Sequence, residues 1–364
     1  MTLNFKTVLS VETSCDDTSV AIVRHDGYVV AQCSASQDLE HAPYGGVVPE
    51  IASRNHSVAL IPLIEQTLKK AELTFDDIDG FTVTNRPGLI GSLIVGLMTV
   101  KTLSQSLNKP YIGVNHLEGH ILAPFLKDDL YQPSSDFGYP YVALAVSGGH
   151  SSIYLVKGAG DYTIVGTTKD DAAGEAYDKF AKMLGLGYPG GVQVDRLAVT
   201  GNPTSYDFPR GLIHEKSLMM SFSGLKSASH RLLQKMSSEQ ILSEQAHLCA
   251  SYQEAVVETL IAKITLAARV FKTKNIAITG GVSANSKLRL EAENLKSQGF
   301  QIVIPPLRYC TDNAAMIGYA GILQLNRDLK SDLGMGPSSA SYDNDFKVAL
   351  RENLNDNKKA EKPS

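Results

Sequence analysis

The sequence is poor in cysteine and carries no strong charge of either sign. Its four cysteines, Cys15, Cys33, Cys249 and Cys310, are scattered and form no C-x-x-C pair. This spacing argues against a disulfide framework and against a zinc ribbon built on cysteine. The formal net charge is only -4 over 364 residues, so the chain lacks the global basic field of a typical nucleic-acid binder. Any contact with a nucleic acid must therefore be local or assisted by a partner.

Long apolar runs are absent as well. The most apolar stretch, 89–100, contains two glycines and ends at Lys101. It is far shorter than the roughly 20 residues that a membrane span needs. We predict a buried helix there and no association with a membrane. The N-terminus has no basic region followed by an apolar run and a small-residue cleavage site, so we expect an unprocessed, reduced protein of the cytoplasm.

A pattern of strands and helices occurs twice along the chain. Residues 8–23 and 142–156 each contain an apolar run, a short polar turn and a second strand-like run, which predicts two β-hairpins. Further elements alternate after each hairpin, with helices predicted over 49–70, 174–184 and 241–271, another helix after Ala284, and strands over 81–84, 275–279 and 301–304. Such alternation predicts an α/β fold of two lobes with a ligand in the cleft between them.

The lobes are expected over residues 1–130 and 131–305, joined by the polar, turn-rich stretch 126–139. Residues 306–330 are predicted to form a C-terminal helix that packs at the cleft. Residues 331–364 are predicted to form a tail with a disordered end. In the helix predicted over 49–70, one buried face is expected to hold five apolar residues: Ile51, Val58, Ile61, Ile64 and Leu68.

Two histidines four residues apart form the clearest chemical pattern. On a helix, His116 and His120 of NHLEGH would project from one face and could share a cation, although two partly exposed histidines fit this spacing about equally well. In the zincin motif H-E-x-x-H the glutamate directly follows the first histidine, whereas Glu118 follows by two and would point elsewhere. Asp312 precedes a predicted helix, where it suits a metal ligand but suits a helix N-cap better.

Glycine-rich turns form the second pattern. The turn at 147–149 joins the strands of the second hairpin, and the turn at 280–285 lies between a strand and a helix. Each alone is more often an ordinary tight turn, but two in one lobe favour a nucleotide, because glycine lets backbone N–H groups approach an anion. The string G-x-G-x-x-G at 185–190 follows a helix, and no G-x-x-x-x-G-K-[ST] occurs, so we reject a Rossmann fold and a P-loop.

Acidic residues cluster in two places. Glu12, Asp16 and Asp17 lie in the first hairpin, and 171–178 contains Asp171, Glu175 and Asp178, which could line one helix face in the second half. Both clusters could be solvated surfaces. Asp178 followed by the Gly190-Gly191 turn would also suit an acceptor for a ribose hydroxyl.

The ordered strings of this chain resemble those of the TsaD family of tRNA N6-threonylcarbamoyladenosine synthases. The resemblance spans about residues 8–321 and includes ETSCDDT, HAPYGGVVPEIASRNH, PGLIGSLIVG, NHLEGH, VSGGHS, DDAAGEAYDK, GYPGG, SFSGLK, ITGGVSAN and CTDNAAMI. It implies an actin-like fold of the Hsp70 and sugar-kinase superfamily, with duplicated RNase H-like domains. It implies transfer of a threonylcarbamoyl group from threonylcarbamoyl-AMP to the exocyclic amine of the adenosine 3′ of the anticodon, in tRNAs that read codons starting with adenine. AMP is released.

The resemblance also implies the ligands and partners. It implies one divalent metal ion bound by His116, His120 and Asp312, a set that suits ferrous iron or zinc. Contacts with the adenylate are implied for nine residues: Ala145, Val146, Ser147, Gly148, Gly149, Asp178, Gly191, Asp195 and Asn285. The implied partners are tRNA, a TsaB-like homologue and a TsaE-like ATPase. No general base is assigned.

Two positions depart from the family pattern, and two other functions stay open. Arg86 stands where the family often has the first glycine of G-P-G-L, and Ser151 stands where it has threonine. A metallopeptidase could use His116 and His120, although the order of its motif residues is wrong. A non-catalytic actin-like scaffold would explain the glycine turns but not three metal ligands.

Overall fold

The computed structural model describes residues 4–340 and 346–354. By internal contacts the chain divides into two compact units, one formed by 1–135 with 305–345 and the other by 136–304 with 346–364. The boundary between 135 and 136 lies inside the predicted linker, and the segment predicted as a C-terminal helix belongs to the first unit. The end of the predicted tail, 355–364, lies outside the described residues.

The helices and strands alternate as the sequence predicts. In chain order they are β1 (Thr7–Glu12), β2 (Thr18–Arg24), β3 (Val29–Ala35), α1 (Asp38–His41), α2 (Pro49–Ala71), β4 (Gly80–Arg86), α3 (Ile90–Leu107), β5 (Tyr111–Asn115), α4 (His116–Leu122), β6 (Tyr141–Val146), β7 (Ser151–Gly158), β8 (Asp161–Thr167), α5 (Ala173–Met183), α6 (Gly190–Ala198), α7 (Ser223–Leu233), α8 (Ser238–Val270), β9 (Asn275–Thr279), α9 (Ser286–Asn294), β10 (Gln301–Val303), α10 (Leu307–Cys310), α11 (Ala314–Leu325) and β11 (Lys347–Val348).

The two units repeat one sheet topology. In the first unit the strand order is β3-β2-β1-β4-β5, and in the second it is β10-β9-β6-β7-β8-β11. In each sheet the first three strands of the unit form an antiparallel meander, and the next two strands pair in parallel beside the first. The short β11 adds one parallel strand next to β8. This repeat confirms the prediction of duplicated RNase H-like domains.

Helix α3 forms where a buried helix was predicted, but one side of it is exposed. Leu93, Leu97 and Val100 are buried against the sheet side of the first unit, whereas Ile94 and Met98 are 43% and 54% exposed. Of the helices in the described ranges, α3 is the one with the length and apolar composition of a membrane span, and 28% of it is buried. Core helices of soluble proteins share both properties, so this is weak evidence for a span.

Helix α2 also exposes part of its predicted buried face. Ile64 and Leu68 are buried, but Val58 and Ile61 are 77% and 51% exposed, so the prediction was wrong for these two. The buried stripe instead follows the helical repeat through smaller and polar residues such as Ala52 and His56. We call the exposed apolar residues of the two helices the α2–α3 patch: Val58, Ile61, Ile90, Ile94 and Met98.

Two helix N-termini position the candidate site of the first unit. Helix α4 begins directly after β5, where the Asn115 side chain accepts a hydrogen bond from Leu117 N at 2.9 Å. Helix α11 begins after Asn313, whose side chain accepts from Met316 N at 3.0 Å. The two helices pack closely, since a Cβ on Gly119 would lie 2.9 Å from side-chain atoms of α11. The residues just before α11 are thereby held beside α4.

Candidate functional site

The structure brings three predicted metal ligands of the first unit together. His116 Nε2 and His120 Nε2 are 3.1 Å apart, and each lies 3.2 Å from Asp312 Oδ1. Both histidines are buried, and Asp312 is partly exposed. Two imidazole nitrogens and one carboxylate oxygen thus form a nearly equilateral triangle at the start of α4.

The triangle has the dimensions of a metal site. Ligand atoms about 2.0–2.1 Å from one ion are separated by about 2.9 Å in octahedral and about 3.4 Å in tetrahedral coordination, and the observed 3.1 and 3.2 Å lie between these values. Two unprotonated imidazole nitrogens would repel each other at this distance unless a proton or a cation lay between them. The donor set therefore fits a divalent transition metal with further coordination positions open.

Glu12 supports this centre, a role that the sequence did not predict for it. It is fully buried at the end of β1, and its Oε2 lies 3.0 Å from His116 Nδ1. Its carboxylate also accepts hydrogen bonds from Ser14 N, at 2.5 Å, and from the Thr84 hydroxyl. The available signal was a glutamate that follows the apolar run VLSV of a buried strand, where an unpaired charge would be costly.

Electrostatics in the cluster follow from this pairing. Burial disfavours the imidazolium of His116, but Asp312 and Glu12 outweigh burial and raise the pKa of His116 well above its ordinary value. Burial would raise the pKa of Asp312, yet the two histidines hold that pKa well below its usual range. For His120, burial and the nearby His116 lower the pKa. His120 Nδ1 is buried and has no hydrogen-bond partner among the described residues.

The structure tests the N-cap interpretation of Asp312 and the predicted direction of Glu118. The N-cap of α11 is Asn313, so the N-cap interpretation of Asp312 was wrong, and the Asp312 carboxylate faces the histidines instead. Glu118 is buried and its Oε2 accepts a hydrogen bond from Gln324 at 2.7 Å. It points away from the triangle, as the spacing of NHLEGH predicts.

In the second unit the predicted glycine turns lie side by side. The turn 147–149 follows β6, and Gly280, with φ of +87°, packs so tightly on the Val146 carbonyl that a Cβ would collide with it. Gly174, at the start of α5, donates from its backbone N to Ser147 O at 3.2 Å. Ala145 and Val146 are buried at the end of β6. Gly148, Gly149 and Gly281 have open space where a Cβ would be.

The polar candidates around these turns already bond to protein atoms. Asp178 accepts from Gly190 N at 2.9 Å and also from the backbone of Gly191, and burial raises the pKa of Asp178 despite these bonds. Asp195 accepts from Ser286 N and from the Ser286 hydroxyl, the latter at 2.7 Å. These carboxylates hold the first residues of α6 and α9.

Asn285 is likewise engaged. Its Oδ1 caps α9 by accepting from Leu288 N at 2.9 Å, and its Nδ2 donates to Gln253 Oε1 at 2.7 Å. The predicted acidic face of α5 is divided, because Asp171 and Glu175 both pair with Lys179 while Asp178 turns toward α6. Asp178, Asp195 and Asn285 thus shape the backbone around the glycine turns.

The fold and the triangle define a two-unit α/β protein of the actin-like class with a candidate His₂Asp metal centre. Solved structures agree on the fold: HypF of T. kodakarensis has a TM-score of 0.58 at 12% identity, covering 90% of this chain and 48% of that chain. Component A of the Acidaminococcus fermentans (R)-2-hydroxyglutaryl-CoA dehydratase has a TM-score of 0.51 at 15% identity, covering 87% and 98%.

Sequence comparison identifies the family. The family model of TsaD, tRNA N6-adenosine threonylcarbamoyltransferase, matches residues 28–319. A protein of that name from Bdellovibrio bacteriovorus is 60% identical over 341 residues, which cover 93% of this chain and 99% of the relative. Another from Syntrophotalea carbinolica is 47% identical over 336 residues, which cover 91% and 95%. The chain belongs to the TsaD family, and the resemblance inferred from its motifs is confirmed.

Proposed function

We propose that this protein is a tRNA N6-adenosine threonylcarbamoyltransferase that uses threonylcarbamoyl-AMP as the donor. The observation that carries the proposal is the convergence of His116, His120 and Asp312 in a chain of the TsaD family. The acceptor is the exocyclic amine of the adenosine 3′ of the anticodon in tRNAs that read codons starting with adenine. The amine attacks the carbamoyl carbon, the bond from that carbon to the phosphate oxygen breaks, the amine loses a proton, and AMP leaves.

The first unit would hold one divalent metal ion. His116, His120 and Asp312 supply the ligands, and the donor set suits ferrous iron or zinc. When bound, the ion supplies a Lewis acid for the threonyl or carbonyl oxygens of the donor. Glu12 accepts a hydrogen bond from the Nδ1–H of His116, and this tautomer leaves Nε2 free to act as the ligand atom.

The second unit would hold the adenylate. Ser147 N already donates to His150 O at 2.8 Å. Gly148 and Gly149 are exposed, with open space where a Cβ would be, so their backbone N–H groups could approach a phosphate. An aromatic amine is a poor nucleophile, so positioning and pre-aimed N–H donors must supply most of the rate as charge grows on the leaving phosphate. Gly191, with space around it, would admit the ribose or base.

The α2–α3 patch would bind the TsaB-like homologue. It places five exposed apolar side chains on two neighbouring helices, which pack so closely that a Cβ on Gly91 of α3 would collide with the Ser53 hydroxyl of α2. A partner of related fold would offer similar helices to cover this patch. A TsaE-like ATPase would complete the assembly, which works on tRNA in the cytoplasm.

The decisive experiment is incubation of the metal-loaded protein and its partners with threonylcarbamoyl-AMP and unmodified tRNA. Nucleoside mass spectrometry should detect threonylcarbamoyladenosine, and the Asp312→Ala variant should produce none. Absence of the modified nucleoside with the wild-type protein would refute the proposal. Peptide cleavage in place of transfer would support a metallopeptidase. A protein that binds nucleotide but shows neither activity would support a non-catalytic scaffold.

A further inference from the structure

Helix α7, which carries the SFSGLK motif, has cationic and neutral polar side chains at its exposed positions, while Leu232 and Leu233 are half-buried. The exposed side chains of α7 and of the two residues that follow it are Lys226, Ser227, His230, Arg231, Gln234 and Lys235. Leu225 and Ser229 on the other side are buried. The surrounding stretch 216–238 contains four lysines and arginines and no aspartate or glutamate. This is a local basic surface in a chain whose net charge is -4.

The cations of this surface are not used inside the described structure. Other basic residues of the second unit form ion pairs, for example Lys179 with Asp171 and Arg210 with Glu258. Within the described ranges no carboxylate lies within ion-pair distance of Lys226, Arg231 or Lys235. Unpaired cations on one helix face generate a field that an anionic partner can neutralise.

The N-terminus of α7 is fixed by Asp170 of the DDAAGEAYDK motif. One oxygen of Asp170 accepts from Phe222 N at 2.8 Å and Ser223 N at 3.1 Å, and the other accepts from the Ser221 and Ser223 hydroxyls at 2.5 and 2.7 Å. Four bonds to one carboxylate hold the orientation of the helix, and they also occupy the N–H groups that could otherwise bind an anion there. An anionic partner would therefore bind α7 at its basic face rather than at its N-terminus.

Asp170 also connects α7 to the candidate adenylate turn. In the segment that carries it, Thr168 N donates to Ser151 O at 2.9 Å, and Ala173 N donates to the Ser151 hydroxyl at 2.9 Å. Ser151 lies two residues after Gly149 of the 147–149 turn and begins β7. The N-terminus of α7 is thus connected to the strand that follows the turn through a short series of hydrogen bonds.

We propose that the exposed face of α7 binds the phosphate backbone of the tRNA, an inference that rests on the proposed function. Lys226 and Arg231 are five residues apart on α7, about 7.5 Å along the axis, and Lys235 follows two residues after the helix ends, so the three cations can reach neighbouring phosphates. Lysine and arginine contacts of this kind position a nucleic acid without reading its sequence. A lipid surface fits less well, because an interfacial helix would expose large apolar residues beside its cations.

The test compares two triple variants of the full-length chain. Lys226→Gln, Arg231→Gln and Lys235→Gln together remove the α7 cations while keeping side chains that favour helices. The matched control, Lys272→Gln, Lys274→Gln and Lys296→Gln, removes the same charge from exposed positions elsewhere in the second unit. Binding of fluorescent, unmodified tRNA is measured by anisotropy over a series of salt concentrations, with thermal unfolding as the check of folding.

The α7 variant should bind tRNA roughly tenfold or more weakly at low salt, and the slope of log affinity against log salt should fall by about 2 to 3. The control should keep the wild-type slope, and both variants should keep wild-type affinity for AMP. An α7 variant with the wild-type slope, or an equal loss in both variants, would overturn the inference. A wild-type protein that binds tRNA through α7 but transfers nothing would instead contradict the proposed function alone.

Discussion

The carboxylate of Glu12 lies 3.0 Å from Nδ1 of His116, while Nε2 of the same imidazole faces Asp312 at 3.2 Å. One ring therefore connects a fully buried carboxylate to the candidate metal centre. A carboxylate behind a ligating histidine fixes the tautomer and increases the basicity of the ligand nitrogen. His120 lacks such a partner among the described residues, so Glu12 should contribute most of the support that the ligands receive.

We expect Glu12→Gln to weaken metal binding by about 10- to 100-fold. The carboxylate receives donors from Ser14, Thr84 and His116, and a glutamine has only one oxygen to accept them. Its amide would turn a donor toward this cluster and disfavour the ligating tautomer. Metal affinity is measured by competition with a chelator. Glu118→Gln is the matched control, since Glu118 is a buried glutamate bonded to Gln324, and it should keep wild-type affinity.

The purified protein should contain about one transition-metal ion per chain. His116→Ala and Asp312→Ala each remove one corner of the triangle and should lose that ion. Elemental analysis of folded samples is the measurement. Unchanged metal content in both variants would exclude this cluster as the binding site.

The Gly149→Val variant should fold normally and lose affinity for the adenylate. A Cβ at Gly149 meets no atom within 4 Å, and its φ lies outside the left-handed region, so the branched side chain disturbs only what approaches the turn from outside. Calorimetry with AMP checks this expectation, with metal content measured on the same sample. Gly174→Ala is the contrasting variant, because its Cβ would lie 2.6 Å from Ser147 O and should destabilise the unit itself.

Two variants of Asn285 separate the effect of its helix cap from that of its hydrogen bond to Gln253. Asn285→Asp keeps an oxygen for Leu288 N and loses the donor to Gln253, whereas Asn285→Ala also removes the cap, at a cost of about 0.5–2 kcal/mol. If Nδ2 is needed at the nucleotide site, both variants should lose AMP affinity, and only the alanine variant should also lose its cap. Wild-type affinity in both would limit Asn285 to its structural contacts.

Replacing Ile94 and Met98 by glutamate should abolish binding of the TsaB-like partner. Both side chains are exposed on α3 as part of the α2–α3 patch, and burying a carboxylate without a counter-charge opposes association. Co-elution in size-exclusion chromatography is the measurement. Leu39→Glu alters a residue of α1 that is 86% exposed outside the patch and should leave the complex intact.

The stability that Asp170 contributes should depend on pH. Burial opposes its ionisation, but hydrogen bonds from Ser221, Phe222 and Ser223 outweigh burial and lower the pKa of Asp170. A lowered folded-state pKa stabilises the fold above the unfolded value of about 3.9 and loses that effect as pH falls toward the folded value. Asp170→Asn should therefore unfold more easily than wild type at pH 7, by about 1–2 kcal/mol. The urea midpoints of the two proteins should converge as the pH falls below about 3.9 toward the lowered folded-state pKa of Asp170. A difference between the midpoints that is the same at every pH would contradict an origin in the ionised carboxylate.

Sequence patterns predicted the helices and strands correctly where local periodicity and neighbouring residues determine the structure. The helix predicted over 49–70 is α2, the strand predicted over 275–279 is β9, and both hairpins form where their apolar runs and turns predicted them. The motifs also identified the family. The burial of Val58 and Ile61 was predicted wrongly, because helical spacing alone does not say which of two apolar stripes meets the sheet.

The sequence by itself determined the alternation of strands and helices, the family and the residue types of the candidate metal centre, since these depend on short-range patterns and motif order. Only the tertiary structure decided that Asp312 faces the histidines while Asn313 caps α11, and that Glu12 lies behind His116. The contacts of Asp312 and Glu12 with the histidines join residues more than 100 positions apart, such as Glu12 and His116, which are 104 apart. Their geometry depends on how β1, α4 and α11 pack, and no local pattern encodes that packing.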